Sequence, residues 1–387
     1  MAWNRRAPDV IEAPAPLSLI RWLGAALLAV VIGIGLFVLV VSGRLPELGS
    51  LNVWMLAASP LLVWLLAFAV RSYTYGGALS HFQFLEEQAD EAKVAWSQWA
   101  QRHFGVQASC VVLPERVSAA LIAQGVPGQP RRPGEVCRIA ELPAAGDARV
   151  RVALQKLFAG VGAALMVLPA DRALRVTVLS DLDAEGLESL RTVWGKDWSK
   201  AIPNYLQVAV SFVSELSLQW LEDSLKAPGA AVELLVVLQI NGQGAYSDGL
   251  AALLLCPDAL VQEWELPVQG RLLRPMPLDA GKLDTELPLF LETQLAARNA
   301  TGILADSAQW QPSLGTLLAM GEAQQAKFQV GQQWIQEAFC GVPGPFSAWL
   351  LAGLGLEMSR HFQQPLVLLS QEPSQRWIST VATGELA

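Results

Sequence analysis

Two long apolar runs dominate the first seventy residues of the chain. Residues 22–41 read WLGAALLAVVIGIGLFVLVV and residues 51–70 read LNVWMLAASPLLVWLLAFAV, and neither run contains a charged residue. About twenty helical residues cross the roughly 30 Å of hydrocarbon in a bilayer. The pattern therefore predicts two antiparallel transmembrane helices, joined by residues 45–50. The first run is too long for a cleaved signal peptide, and no clear A-x-A site follows it.

Basic residues around these runs predict their orientation. Arg5, Arg6 and Arg21 precede the first run, Arg44 lies in the connector, and Arg71 follows the second run. Because Lys and Arg are enriched on the cytoplasmic side of a membrane, the pattern places both ends of the chain in the cytoplasm. We expect a multi-pass protein of a bacterial inner membrane, with the lipid bilayer as its first partner.

Small residues recur at four-residue spacing within the first run. Ala25, Ala29 and Gly33 fall on one helix face, which permits close approach of a second helix. This contact could form within the helix pair or between two copies of the chain. Small residues are also common in such helices without any packing role, so both interpretations stay open.

Beyond residue 71 the apolar pattern alternates between the periods of helices and strands, which predicts an α/β fold with a mixed or mostly parallel sheet. We divide the chain into a transmembrane hairpin (1–71), a connector helix (72–106) and two α/β modules (107–226 and 227–387). Residues 125–146 are rich in Pro, Gly and Arg and read as a loop. The predicted strands are 108–113, 174–179, 232–240, 366–369 and 377–381. The predicted helices are 149–165, 183–193, 205–225, 250–255, 283–298, 321–339 and 346–362.

Charge and cysteine content exclude several classes of function. The formal net charge is -8, and the acidity lies beyond residue 71, so no basic face for nucleic acid is expected. The four cysteines are widely spaced and no pair forms C-x-x-C, which leaves a zinc ribbon unsupported. We interpret them as reduced, buried thiols, and we predict no cofactor and no metal site.

Catalytic motifs are missing from the sequence. The three histidines form no metal or catalytic pattern, no serine lies in G-x-S-x-G, and no phosphate-binding P-loop exists. We therefore assign no catalytic residue, although a carboxylate can replace histidine as a general base. Asp181, Asp183 and Glu185 follow a predicted strand and fit either an oxygen-ligand metal site or the acidic first turn of a helix, which we prefer.

One glycine-containing loop follows the clearest predicted strand. It carries Gly242, Gly244, Tyr246, Ser247 and Asp248. The two glycines would begin a dinucleotide-binding fingerprint, but serine stands at the position of the third glycine. Two interpretations remain, a turn that caps a helix through Ser247 or Asp248, and a contact for a ligand or partner at the strand end.

Three stretches together resemble a known family. They are RSYTYGGA at residues 71–78, INGQGAYSDGLAALLL at 240–255 and RLLRP at 271–275. They are similar to an uncharacterised family of proteobacterial inner-membrane proteins linked to type VI secretion, which includes the adaptor that loads a lipase effector onto a spike protein. The resemblance implies α/β modules and protein–protein contacts, and it carries no established catalytic residues.

The anchor, the missing motifs and the resemblance lead to one functional expectation. We expect a membrane-tethered adaptor or accessory protein that binds a secreted effector or a spike component, in preference to an enzyme. Two alternatives stay open. One is an α/β enzyme that uses carboxylates such as Asp181 or Asp248, and the other is an immunity-type protein that blocks a toxin at the membrane.

Overall fold

The computed structural model describes residues 3, 12–44, 52–124, 132–169, 172–202, 208–226, 229 and 231–384. The chain forms two compact units. One is Arg5–Ala95, and the other combines Met1–Asn4 with Trp96–Ala387. The predicted connector at residues 45–50 and the flanking Arg5 and Arg6 lie outside the described residues.

The smaller unit is built on two long helices, α1 (Leu19–Val41) and α2 (Val53–Ala100). Phe37 near the end of α1 contacts Trp54 at the start of α2, and Trp22 near the start of α1 contacts Phe68, so the helices run antiparallel. The indole Nε1 of Trp64 donates to the carbonyl oxygen of Trp22 at 3.1 Å. By length and composition α1 and α2 are apolar enough to cross a membrane.

The small residues of α1 differ in their surroundings. Ala29 and Gly33 are buried, and a Cβ atom at Gly33 would lie 2.4 Å from the carbonyl oxygen of Ala57 on α2. Ala25 is exposed and lines a shallow apolar groove beside Pro60 of α2. The close approach at Gly33 therefore forms between two helices of one chain.

The larger unit contains the remaining helices and every strand of the described residues. Its strands are β1 (His103–Val112), β2 (Ala173–Ser180), β3 (Ala209–Val213), β4 (Ala231–Gln239), β5 (Gly249–Pro257), β6 (Gly270–Leu273), β7 (Met276–Leu278), β8 (Gly302–Ala305), β9 (Gln333–Ile335), β10 (Leu366–Gln371) and β11 (Arg376–Thr383). Its helices are α3 (Ala119–Gln124), α4 (Gly146–Val167), α5 (Ala184–Ala201), α6 (Gln219–Lys226), α7 (Asp258–Glu263), α8 (Leu283–Thr293), α9 (Leu295–Arg298), α10 (Gln311–Ala323), α11 (Glu337–Cys340) and α12 (Ser347–Phe362).

These strands form one mixed sheet with the order β3-β2-β4-β5-β1-β6-β11-β10-β8-β9, and β7 pairs with β11 outside this path. The two ends of the sheet repeat one topology. In each end three parallel strands are followed by an antiparallel one, as β3-β2-β4-β5 and as β9-β8-β10-β11. The sequence shows no repeat, so this duplication is visible only in the strand order.

Apolar layers cover both faces of the sheet. The helix α4 packs on α5 and on the strands β5 and β1, and its buried face includes Leu154, Leu157 and Val161. Its length and composition would also fit a membrane span, but this face belongs to the core. The helix α12 contacts β10, β11 and β1, and it is buried along most of its length.

The fold class is confirmed as α/β with a large mixed sheet, whereas several element predictions are wrong. Residues 250–255 form strand β5 instead of a helix, because a uniformly apolar run carries no period and β5 is buried along its whole length. The predicted helix 205–225 holds β3 and α6, and the predicted helix 321–339 contains β9 and α11. The strands β2 and β4 pair across the predicted boundary at 226–231.

We predict that Gly33→Ala weakens the packing of α1 on α2. The added Cβ would contact a backbone oxygen that cannot rotate away, and such overpacking costs about 1–3 kcal/mol. The thermal midpoint of the full chain in detergent should fall by several degrees. Gly35→Ala is the matched control because nothing lies within 4 Å of its Cβ position. Equal midpoints for the two variants would contradict the helix contact.

Candidate functional site

A cleft of about 720 Å³ opens at the carboxyl ends of β2 and β4. Open α/β sheets commonly bind ligands at this edge. The starts of α4 and α5 form two of its walls, so two helix N-termini point their partial positive charge toward it. Its polar lining consists of Arg138, Asp147, Arg149, Asp183, Glu185, Ser189, Asn241 and Gln243.

Two arginines of the cleft are held by one buried carboxylate. Arg138 donates to Oδ1 of Asp248 at 2.8 Å, and Arg149 donates to Oδ2 at 2.5 Å. The backbone N–H of Ile139 also donates to Oδ2 at 3.0 Å. The side chain of Arg149 is almost enclosed, whereas that of Arg138 is 39% exposed. Arg138 is thus a positioned guanidinium with a face open to the cleft.

The glycine-containing loop forms hydrogen bonds with other segments of the same chain. Ser247 and Asp248 are buried, and the Ser247 hydroxyl accepts from the N–H of Cys137 at 3.0 Å. Gly244 has φ +95°, which favours glycine, and a Cβ atom at Gly242 would lie 2.4 Å from the carbonyl oxygen of Tyr246. The loop is therefore a tight turn, and it leads into strand β5 instead of capping a helix.

The three carboxylates after β2 do not converge. Asp181 accepts from the N–H groups of Ile240 and Asn241 at 3.0 and 2.7 Å and from the hydroxyl of Tyr246 at 3.2 Å. Burial raises the pKa of Asp181, and burial beside Asp181 raises the pKa of Tyr246 to about 12.

The other two carboxylates follow the helical interpretation. Asp183 caps α5 by accepting from the N–H of Gly186 at 2.9 Å, and Glu185 lies in the first turn of that helix. Among the described residues no three His, Cys, Asp or Glu side chains group closely enough to hold a metal ion. Asp183 and Glu185 therefore belong to the acidic first turn of α5.

Asp306 occupies the position after β8 that Asp181 occupies after β2. It accepts from the N–H of Gln371 at 2.7 Å, from Nε1 of Trp310 at 3.1 Å and from the hydroxyl of Ser347 at 3.3 Å. Burial raises its pKa to about 6. The adjoining cavity at the start of α12 has a volume of only about 10 Å³, the lower limit for one water molecule. Asp306 is therefore enclosed.

The four cysteines are free thiols in buried or half-buried positions. Burial raises the pKa of Cys110 to about 11 and that of Cys256 to about 12, and it also raises the pKa values of Cys137 and Cys340. A reactive cysteine needs a lowered pKa that populates the thiolate. None of these thiols has the environment of a nucleophile.

The sequence did not predict several residues of the cleft. Arg138 lies in the stretch that reads as a loop, and Asp147 and Ser189 carry no motif. The hydroxyl of Ser189 donates to Oδ1 of Asp147, a contact between α4 and α5 that only the packing of the two helices creates. Arg149 begins the predicted helix 149–165, which also contains Arg151 and Lys156, so no sequence signal singled it out.

Comparison with known proteins identifies relatives of the fold alone. No protein-family profile and no curated protein sequence matches the chain. Among solved structures it matches a chain of the AntDE:AntF complex, a type II polyketide synthase acyl-carrier protein with its ketosynthase bound to the hexaketide. That match has a TM-score of 0.50 at 11% identity and covers 74% of this chain and 100% of the other.

Two further solved structures resemble the chain at a lower score. They are the oxazolomycin ketosynthase domain OzmH KS8 of Streptomyces albus (TM-score 0.47, 13% identity, 73% and 96% covered) and cerulenin-bound OleA of Xanthomonas campestris (TM-score 0.47, 10% identity, 74% and 98% covered).

The fold match corrects the expected function. The interpretation as a type VI secretion adaptor and the preference for a non-enzyme are wrong, because the chain shares its fold with a chain of a ketosynthase and carrier-protein complex. Both expectations depended on missing motifs and on short degenerate stretches. One of those stretches, 240–255, is the tight turn and the buried strand β5, whose residues serve packing.

We predict that Asp248→Asn strongly destabilises the larger unit. The substitution leaves two guanidinium groups facing a neutral side chain, and breaking a buried ion pair costs about 3–5 kcal/mol. Urea unfolding of the full chain in detergent measures this loss. Asp223→Asn is the control, because the side chain of Asp223 is 62% exposed and its ion pair with Lys226 contributes little. Similar stabilities for the two variants would contradict the role of Asp248.

A second prediction concerns Asp306 and pH. Its folded pKa of about 6 lies above the ordinary value of 3.8, so the folded state binds the proton more tightly than the unfolded state. The contribution of Asp306 to stability is greatest below pH 3.8 and is lost as the pH rises through 6. A rise of about 2 in pKa corresponds to roughly 3 kcal/mol.

The Asp306→Asn variant isolates this effect, since asparagine does not titrate. Urea titration measures the free energy of unfolding of the wild type and of Asp306→Asn. Between pH 4 and pH 7 the wild type should lose roughly 3 kcal/mol of stability relative to the variant. A difference that is independent of pH would show that Asp306 stays ionised in the fold.

Proposed function

We propose that the chain is a membrane-anchored α/β enzyme whose anionic substrate binds in the cleft at the carboxyl ends of β2 and β4. The observation that carries the proposal is the convergence of the uncapped N-terminus of α4 and the half-exposed guanidinium of Arg138 on one open cleft. Backbone N–H groups at helix N-termini and a positioned arginine are the usual partners of phosphate and carboxylate groups.

The uncapped start of α4 strengthens the anion-binding side of the cleft. Ala145 precedes this helix and supplies no side-chain cap, so the first N–H groups of α4 remain available to a ligand. Arg138 cannot swing far, because its guanidinium is tied to the enclosed carboxylate of Asp248. An anionic group of the substrate would therefore meet donors that are already oriented.

Carboxylates on the rim supply the groups for proton transfer. Asp147 and Glu185 are exposed and line the cleft, and the hydroxyl of Ser189 donates to Asp147. A carboxylate within reach of a bound substrate can serve as a general base or acid. We assign proton transfer to Asp147 and Glu185, and we assign no nucleophile to the cysteines, whose raised pKa values keep them as thiols.

The proposed anchor is the pair of helices α1 and α2. Large apolar side chains of α1 face outward over most of its length, with Ile20 84% and Leu27 68% exposed, and Leu66 of α2 is 72% exposed. Exposed apolar surface of this extent suits a lipid environment. We propose that both helices span a bacterial inner membrane and that both chain termini lie in the cytoplasm, in agreement with the arginine distribution.

We predict that the purified full chain, in detergent, converts an anionic substrate and that the double variant Asp147→Asn, Glu185→Gln loses at least about a hundredfold in rate. The first panel comprises acyl-CoA and acyl-carrier-protein thioesters, since the matched complex contains a ketosynthase with its carrier protein. The second comprises phosphorylated and carboxylated metabolites. Mass spectrometry of the products measures turnover.

The controls separate catalysis from folding and from thiol chemistry. Glu188→Gln is the matched variant, because Glu188 lies exposed on α5, pairs with Arg191 and does not line the cleft. It should retain full rate. Arg138→Lys keeps a charge beside Asp248 and should raise KM more than it lowers kcat. Turnover that survives the double variant, or that iodoacetamide abolishes, would overturn the assignment.

A further inference from the structure

The N-terminal Trp3 is docked in the larger unit, far along the sequence from its neighbours. Its side chain is 6% exposed, and its indole Nε1 donates to the carbonyl oxygen of Pro275 at 3.2 Å. Its ring meets Trp99 edge-on at 5.3 Å and packs against Phe290 at 5.6 Å. A buried indole with its N–H satisfied is a specific contact, because both the apolar ring and the donor have partners.

The side chains that receive Trp3 are connected to the core by further contacts. Trp96 stacks on Trp99 at 4.4 Å, and the guanidinium of Arg274 lies 4.1 Å from the centre of the Trp99 ring. Arg274 is fully buried and forms an ion pair with Glu222 of α6 at 2.9 Å. The indole site is thus formed by side chains that are themselves held in place, and Trp3 completes it.

We infer that Trp3 is a strap that closes the chain on itself and forces the intervening segment to cross the membrane an even number of times. Trp3 and its partners belong to one compact body, whereas Arg5–Ala95 forms a separate unit between them. A chain that leaves a body on one side of a bilayer and returns to it must cross twice or not at all. This inference rests on the proposed membrane anchoring.

The strap distinguishes between two arrangements that the apolar pattern alone allows. If only α1 crossed the bilayer, Trp3 and Trp99 would lie on opposite sides and could not touch. Two helices of Arg5–Ala95, α1 and α2, are long and apolar enough to cross. With Trp3 docked and the chain anchored as proposed, α1 and α2 both cross, and the N-terminus, the cleft and the C-terminus share one side of the membrane.

Cysteine labelling in intact cells tests this topology. Ala2→Cys, Ser50→Cys and Ala387→Cys are introduced singly into the full chain and treated with a membrane-impermeant maleimide, with the wild type as the blank for its own buried thiols. We expect labelling of Ser50→Cys before permeabilisation and of the two terminal variants only afterwards. Opposite accessibility of Ala2→Cys and Ala387→Cys would overturn the strap. Protection of all three would overturn the anchoring instead.

Hydrogen exchange tests the docking of Trp3 independently of the membrane. In detergent, Trp3→Ala should speed amide exchange around Trp99 and Phe290 by more than about tenfold, because these residues lose a packed indole. Trp54→Ala is the matched control, since Trp54 is 74% exposed and lies in the other unit. Equal exchange in both variants would show that Trp3 is not docked, whatever the labelling result.

Discussion

The structure depends on pairing the strand edges at the middle of its sheet. Each half of the sheet ends in an antiparallel strand, β5 in the first half and β11 in the second, and an unpaired edge would leave buried N–H and C=O groups without partners. The strands β1 and β6 fill the gap, because β1 pairs with β5 and with β6, and β6 pairs with β11. The two halves consequently share one hydrogen-bonded sheet and cannot separate as independent modules.

The duplicated topology also explains two aspartates, the half-buried Asp181 and the buried Asp306. Asp181 and Asp306 each follow the first parallel strand of a half, and each accepts backbone N–H groups at the end of the neighbouring parallel strand. Both carboxylates tie adjacent strand ends together. The surroundings of the two carboxylates differ. An open cleft lies beside Asp181, whereas the buried start of α12 encloses Asp306. The enclosed carboxylate of Asp306 therefore stabilises the fold only in its protonated form, at a pH below its folded pKa of about 6.

Long apolar segments gave the most accurate predictions of secondary structure. The helices α1, α4 and α12 and the strands β2, β4, β10 and β11 all coincide with predicted segments, since each has a clear period or a clear end. The errors fall where the period is missing. Strand β5 is apolar at nearly every position because it is covered on both faces, and such a run is indistinguishable from a buried helix. In the candidate site, the glycine-containing motif pointed to Ser247 and Asp248, whereas no motif pointed to Arg138 or Ser189.

By itself the sequence determined the two long apolar helices, the α/β class and the mostly buried thiols, because each follows from local composition or periodicity. Tertiary structure alone decided that the sheet is continuous, that Asp248 joins Arg138 to Arg149, and that α4 and α5 open onto one cleft. It also brought Trp3 to Trp99. These contacts join residues that are distant in the chain, and no local pattern encodes which distant segments will pair.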